Sequence, residues 1–491
     1  MSSEYLELQK QGTWSLVPLP AGKPVIGSKW TFKTKLLPNG QIDRYKARLV
    51  AQGCSQEFGI NFTETFSPVA KMVTIRMLLT MALNKQWSVT QLDVTNDFLH
   101  GDLIEEVYMR QPRGFVDTQN PDHVCKLHKS IYGLRQSPRQ WFHKHTSFLQ
   151  TIGFEFSRAY PSMLILSKNT VRLFVLIYVD DILITGNDSN QIQMVLRHLQ
   201  AAFKLKQLGD IVLFLGIQVI KTNNGYFLSH SHYAKELLYT AGFADCKPVD
   251  TPAPSRPPLV FDEQPYADPQ MFRKLAGSLQ YLSITRPDIA FTTNRICQHM
   301  HQPRNGDFQA LKRLLRYIKG SLNYGLPIIQ GPMQLSSYTD ADWAANTTDR
   351  KSMSGYCTYL GHNLISWSVK KQTTVARSST EAEYRSLSSA TSDIMWIRRL
   401  ADKLGISQST PTVIHCDNTS TIALAKNPVF HARTKHIELD YHFISDHIRK
   451  GHVSIAHICS EDQIADILTK SLPIARFQAL RSKLTIRCPN G

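Results

Sequence analysis

The alternation of apolar and polar positions divides the chain at one place. Between residues 245 and 270, in "DCKPVDTPAPSRPPLVFDEQPYADPQ", proline is dense enough to exclude helix and central strand, so an extended linker is expected. Before it, short strand-like and helical runs alternate, as in an α+β domain. After it, roughly residues 270 to 330 read as helical, with a basic segment "LKRLLRYIKGSLNYG". From about residue 333 strands return ("QLSSYTD", "GYCTYL", "NLISWSV"), followed by a long helix, a strand "TVIHCD" and more helix. In the long helix Glu383, Leu387, Ala390, Ile394, Ile397, Ala401 and Leu404 recur at three- and four-residue steps, one stripe facing the core. Glu381, two residues earlier, lies ~200° round the helix and points away from that stripe.

The stretch "RLFVLIYVDDILITG" has a different rhythm. Residues 173 to 179 and 182 to 185 predict two strands, with Asp180 and Asp181 between them at a hairpin tip. An Asp pair is commonly just a β-turn. Here apolar flanks recess the turn, and a desolvated carboxylate is costly unless it is paired or bound to a metal. A divalent cation offsets the repulsion between the two, and Mg²⁺ prefers carboxylates together with phosphate oxygens. A third acid, Asp93 in "WSVTQLDVTNDFLHGDL", follows a short β-favouring run.

Composition narrows the chemistry. A chain of 491 residues should hold several domains, and 56 Lys+Arg against 39 Asp+Glu gives a net charge of +17, which favours a polyanionic partner such as nucleic acid. Three acids from two segments of so basic a protein suggest the two-metal clamp of phosphoryl transfer. Eight scattered cysteines form no CxxC, which argues against a zinc ribbon or disulfide scaffold and fits a reducing compartment. The start "MSSEYLELQK" has no apolar core, and the longest apolar runs are about half of what a bilayer needs. An intracellular protein with no membrane partner is expected, cytoplasmic or nuclear.

Residues from about Thr13 to Leu472 resemble the reverse transcriptase–ribonuclease H region of copia-type LTR retrotransposon Pol polyproteins. The stretches that carry the likeness, in order, include "RYKARLVAQG", "ETFSPVAKM", "QLDV", "FLHGDL", "EEVYMRQPRGF", "SIYGLRQSPRQW", "YVDDILITG", "RPDIAF", "DADW", "SSTEAEYRSL", "CDNTSTIALAKNPVFHARTKHIELDYHF" and "ADILTK". The resemblance implies a right-hand polymerase (fingers, palm and start of thumb, 1–245), a Pro-rich linker and helical connection (246–332), a ribonuclease H-like α/β domain (333–472) and a tail (473–491). It implies RNA-directed DNA polymerase and hybrid ribonuclease activities. Two Mg²⁺ (or Mn²⁺) would serve each site, with RNA template, DNA primer, RNA–DNA hybrid and dNTPs as partners.

By the same resemblance, Asp93 and Asp180 hold the polymerase metals, with Asp181 the second acid of the turn. Phe98 would meet the sugar C2′ of the incoming nucleotide, or be a core phenylalanine. Lys46 and Arg48 would grip the triphosphate, or form a solvated cationic face. "SIYGLRQSPRQW" would shape the floor under the template base pair, with Gly133 and Pro138 setting its backbone, and "LFLGIQV" resembles the primer grip. Asp340, Glu383, Asp417 and Asp466 match the four ribonuclease H acids, Glu383 being preferred to Glu381 because it lies on the stripe. Thr380-x-x-Glu383 also fits a capping box, Asp466 also fits a solvated helix position, and Asp342 reads as a surface acid. His436, His442 and His447 lack a metal-binding pattern and read as structural. The chain departs from the family at Asp97, where a small residue is usual, and at Gln207 and Leu213. A charge at Asp97 beside a phosphate would cost a few kcal/mol at an effective dielectric near ~20, or else capture a metal or a proton. No DTG or DSG protease triplet and no integrase segment is found. A catalytically impaired relic that still binds nucleic acid is the alternative reading.

Overall fold

The computed structural model describes residues 1–36, 41–94, 97–256, 261–346, 348–427 and 437–489. They form two compact units, one of residues 1–70 with 88–211 and one of 71–87 with 212–491. The architecture is α+β throughout.

The first unit is built on a six-stranded antiparallel sheet. Its strand order is Leu205–Asp210, Val89–Val94, Asp181–Gly186, Val171–Tyr178, Tyr160–Lys168, Glu155–Ser157. Alternate residues of the central strands (Leu92, Val94, Leu173, Val175, Ile177, Ile182, Ile184) meet Trp141, Phe142 and Leu149 of helix Ser137–Thr151. They also meet Ile192, Val195, Leu196 and Leu199 of helix Ser189–Ala202, which starts on the Asp188 carboxylate. Each such aliphatic side chain contributes about 1.5–3 kcal/mol when buried. Period-two alternation leaves Gln91, Asp93 and Asp181 on the opposite face. A four-stranded sheet and a long hairpin, Ser28–Leu36 with Ile42–Ala51, complete the unit.

The second unit contains a five-stranded mixed sheet in the order Asn363–Lys371, Met353–Leu360, Leu335–Asp342, Thr412–Cys416, Val453–His457. The first three strands run antiparallel and the last three parallel. The long helix expected on the Glu383 stripe spans Ser379–Lys403, and Leu387, Ala390, Ile394, Ile397, Ala401 and Leu404 are all buried. The helical stretch after the linker resolves into Pro269–Leu282, Ala290–Cys297 and Asn305–Gly320.

Two segments fall outside the domain limits drawn from the sequence. Helix Met72–Asn84 groups with the second unit, and its residues from Thr74 to Ala82 are all buried. Its buried Arg76 donates to the Ile365 carbonyl at 2.9 Å and lies over the Trp367 ring. The stretch read as a tail, 473–491, carries helix Ile474–Lys483, with Phe477 and Leu480 buried and Phe477 edge-on to Tyr317. No helix among the described residues is long and apolar enough to cross a membrane.

The "RPDIAF" stretch forms a buried ion pair. Arg286 donates to both oxygens of Asp288 at 2.9 and 2.7 Å, and the Tyr317 hydroxyl adds a third bond at 2.7 Å. Burial works against the Asp288 carboxylate, yet the Arg286 guanidinium holds its pKa below the ordinary value. Removing one partner of such a pair costs more than removing both. Arg286→Met should therefore lower the unfolding free energy of the second unit by about 3–5 kcal/mol in denaturant titration, with the Arg286→Met/Asp288→Leu double variant less destabilised. A double variant as unstable as the sum of its single changes would contradict this.

Candidate active sites

The first acid cluster is assembled by strand register. Asp181 pairs directly with Asp93 across strands Asp181–Gly186 and Val89–Val94, and the Val94 N–H donates to the Asp180 carbonyl at 3.1 Å. The hairpin differs by one residue from the expected one. Tyr178 pairs with Asp181, so Val179 and Asp180 make the turn and Asp181 opens the second strand. A two-residue hairpin favours a turn with positive φ at its first central position, usually glycine. Here Val179 takes φ +53°, a strained value for a β-branched residue. The Trp141 indole N–H, donating to the Val179 carbonyl at 2.7 Å, pins it.

Crowding shows in the protonation equilibria. Burial, then the charge of Asp180, raises the Asp93 pKa, while Lys206, Lys46 and Arg48 pull it back. Burial and Asp180 push Asp181 up to about 6, although Gln91 donates to its Oδ1 at 3.3 Å. Lys206 stands directly opposite Asp93 on the neighbouring strand.

Two of the three candidate nucleotide-binding residues, Arg48 and Phe98, meet on one ring. The Arg48 guanidinium lies 4.4 Å from the Tyr132 ring centroid, and Phe98 meets the same ring edge-on at 5.1 Å. Lys46 stands opposite Lys33 in the long hairpin. Like charges in direct register destabilise a hairpin alone, which suits that face to a polyanion. In "SIYGLRQSPRQW", Gly133 has φ +91°, and a Cβ there would meet the Ala51 carbonyl oxygen at 2.2 Å. Pro138 sits in the first turn of the helix that delivers Trp141. Asn96, the side chain of Asp97 and His436 lie outside the described residues. Gln207 and Leu213 are exposed.

The second cluster gathers four acids from four elements of the mixed-sheet region. Asp340 lies near the end of strand Leu335–Asp342 and Glu383 in the first turns of helix Ser379–Lys403. Asp417 follows strand Thr412–Cys416, and Asp466 lies in the 3₁₀ segment Ile464–Leu468. Asp340, Glu383 and Asp466 are 1%, 5% and 2% exposed, so the solvated-helix alternative for Asp466 does not hold. Capping falls to Glu381, not Glu383. Ser378 Oγ accepts from the Glu381 N–H, while the Glu381 carboxylate accepts from the Arg377 N–H at 2.7 Å and pairs with Arg385 at 2.6 Å. Glu381, expected to point away from the core-facing stripe, is nevertheless buried, held by Arg377 and Arg385.

Glu383 keeps one carboxylate oxygen, Oε2, buried without a partner. Burial, then the charge of Asp340, pushes its pKa well up. Candidate ligand atoms of Glu383, Asp417 and Cys416 all lie within 4.8 Å of one another, and Ser460 Oγ donates to Asp417 Oδ2 at 2.8 Å. A desolvated, orphaned carboxylate oxygen beside the Asp417 carboxylate fits a hard divalent ion, with the Cys416 thiol the one soft group of the three. Burial and the Asp340 charge also raise Asp466. Asp342, read as a surface acid, is half-buried near Asp340, with Lys470 and Arg295 in its field.

Sequence reading missed several residues here: Tyr132, Gln91, Trp141, Ser460, Cys416, Thr469, Lys470 and Arg476. Lys470 had a visible signal, since in "ADILTK" it follows Asp466 by four residues. His447 bonds His452, Nδ1 to Nδ1, at 3.0 Å, and His442 packs edge-on to Tyr441.

A family model described as "Reverse transcriptase (RNA-dependent DNA polymerase)" matches residues 11–255. The chain is 45% identical over 477 residues to the retrovirus-related Pol polyprotein from transposon RE2 of Arabidopsis thaliana, covering 96% of this chain and 33% of that polyprotein. It is 37% identical over 490 residues to that from transposon TNT 1-94 of Nicotiana tabacum, covering 97% and 37%. The chain thus spans about a third of the length of these relatives. Among solved structures, the foamy viral protease–reverse transcriptase in complex with dsDNA overlaps 92% of this chain and 79% of its own, at 11% identity and TM-score 0.23. With these identities across nearly its whole length, the chain belongs to the reverse transcriptase family, as a segment of the copia-type retrotransposon Pol polyproteins.

Proposed function

We propose that this chain copies RNA into DNA at the Asp93–Asp180–Asp181 cluster and cleaves the RNA of the resulting hybrid at the Asp340–Glu383–Asp417–Asp466 cluster. The observation that carries the reading is the direct pairing of Asp181 with Asp93, which brings acids from two distant segments to one point in a strongly basic chain. Asp93 and Asp180 would hold divalent ions at the first site, and Glu383 and Asp417, with Asp340 and Asp466, at the second. When bound, such ions activate the attacking oxygen and stabilise the leaving one.

The protein's own residues do the rest. Lys46 and Arg48, already in the field of Asp93, neutralise the dNTP triphosphate. Tyr132 fixes the Arg48 guanidinium and backs Phe98, whose bulk disfavours a 2′-hydroxyl. Trp141 holds the strained Val179 turn so that Asp180 stays aimed. A primer 3′-OH then displaces pyrophosphate from the α-phosphate. The impaired-relic reading rests on the extra charge of Asp97.

Three outcomes follow. Asp180→Asn should abolish primer extension with Mg²⁺ (at least 10²-fold, as when a positioned electrostatic group is lost) and spare hybrid cleavage, while Asp417→Asn does the reverse. Loss of both activities in either variant would contradict two separate sites. Asp97→Ala should raise extension turnover, and unchanged or lower turnover would remove the charge argument. The third concerns pH. Because the Asp181 pKa stands near 6 when folded and 3.8 ordinarily, the unfolded chain releases its proton first, and stability falls as pH rises from about 4 to 6. Without divalent ions, Asp181→Asn should therefore lose less melting temperature than the parent across that window. Equal losses would refute the assigned environment.

A further inference from the structure

The second acid cluster carries its own cations, and they are unevenly placed. Lys470 Nζ lies 3.1 Å from Asp340 Oδ1 and 2.9 Å from Asp466 Oδ1, bridging the two. The Thr469 hydroxyl takes Asp340 Oδ2, and Arg476 Nη2 takes Asp466 Oδ2. All four oxygens of this pair thus have protein donors. On the other side, Glu383 Oε2 is buried without a partner, and Asp417 receives the neutral Ser460 hydroxyl. Lys470 and Arg476 balance the charges of Asp340 and Asp466, so the Glu383 and Asp417 carboxylates leave a formal charge of −2, which one divalent ion cancels.

Building on the ribonuclease reading above, we propose that Lys470 is a built-in cation that fills the Asp340–Asp466 half of this site, so that the substrate-free protein takes one divalent ion, on the Glu383–Asp417 half, and not two. Lys470 is delivered by covalent structure. It lies one helical turn beyond Asp466, where the chain returns beneath strand Leu335–Asp342, and Gln463 Nε2, bonded to the Thr339 carbonyl at 3.0 Å, ties that return down. An ammonium at about 3 Å from two carboxylates delivers less charge than a divalent ion but needs no dehydration of a metal aquo ion, which Mg²⁺ undergoes reluctantly. A second ion can enter only where the ammonium leaves. Lys470 is on this account a positioning residue: it sets the ion count and the order of filling.

The test counts ions and does not depend on turnover. In the full chain carrying Asp93→Asn and Asp180→Asn, to silence the first site, bound Mn²⁺ is measured by electron paramagnetic resonance of the free ion. The proposal expects one Mn²⁺ per chain, lost on further Asp417→Asn, and two when Lys470→Gln is added instead. Lys470→Arg, which keeps the charge, should stay at one. Two ions with Lys470 intact, a result that needs no Lys470 variant to fold, would overturn the proposal. So would a single ion of unchanged affinity in a folded Lys470→Gln chain. Binding of no Mn²⁺ in any form would instead remove the ribonuclease reading itself, and the proposal with it.

Discussion

Like charges held close together out of water are the constraint on which both sites depend. Burial and the charge of Asp180 raise the proton affinity of Asp93 and Asp181, and burial and the charge of Asp340 raise that of Glu383 and Asp466. A fold retains such clusters only where something positive shares them. Each unit answers differently. In the first, Lys206 stands opposite Asp93 and the hairpin cations act from a distance. In the second, Lys470 and Arg476 touch Asp340 and Asp466 directly, while Glu383 Oε2 stays buried without a hydrogen-bond partner.

The remaining scaffold can be understood as what holds these charges in place. The apolar face of the six-stranded sheet packs on two helices, which fixes the register that sets Asp181 against Asp93. A slip of one residue would send every acid to the core face. The strain at Val179 is of the kind found where a turn must aim a functional group, and the Trp141 indole offsets it. In the mixed sheet, parallel strands ending near Asp340 and Asp417 bring their acids to one edge, where the long helix adds Glu383.

Much of this was legible in the sequence, for identifiable reasons. The stripe through Glu383 depends only on helical period, and the Asp180–Asp181 hairpin on β-branched runs either side of a polar pair, so the first emerged as read and the second with its turn shifted by one residue. The turn was misplaced by one residue because nothing local announces a valine at positive φ. Membership of helix Met72–Asn84 in the second unit was hidden, since a largely apolar helix states that it is covered but not by what. Capping passed from Thr380–Glu383 to Ser378 and Glu381 because the two patterns overlap by two residues and only the true helix start decides between them. Lys470 showed its four-residue spacing from Asp466, but its second contact, with Asp340, joins segments far apart in the chain and leaves no local pattern.

The central claim is that divalent cations neutralise these clusters, and it is tested most directly by calorimetry of the folded chain with and without Mg²⁺. Binding to the native state alone must raise the melting temperature with ion concentration. The account requires that rise in the parent protein and its disappearance when Asp180→Asn and Asp417→Asn are combined. An equal rise in that double variant, or none in the parent, would contradict it.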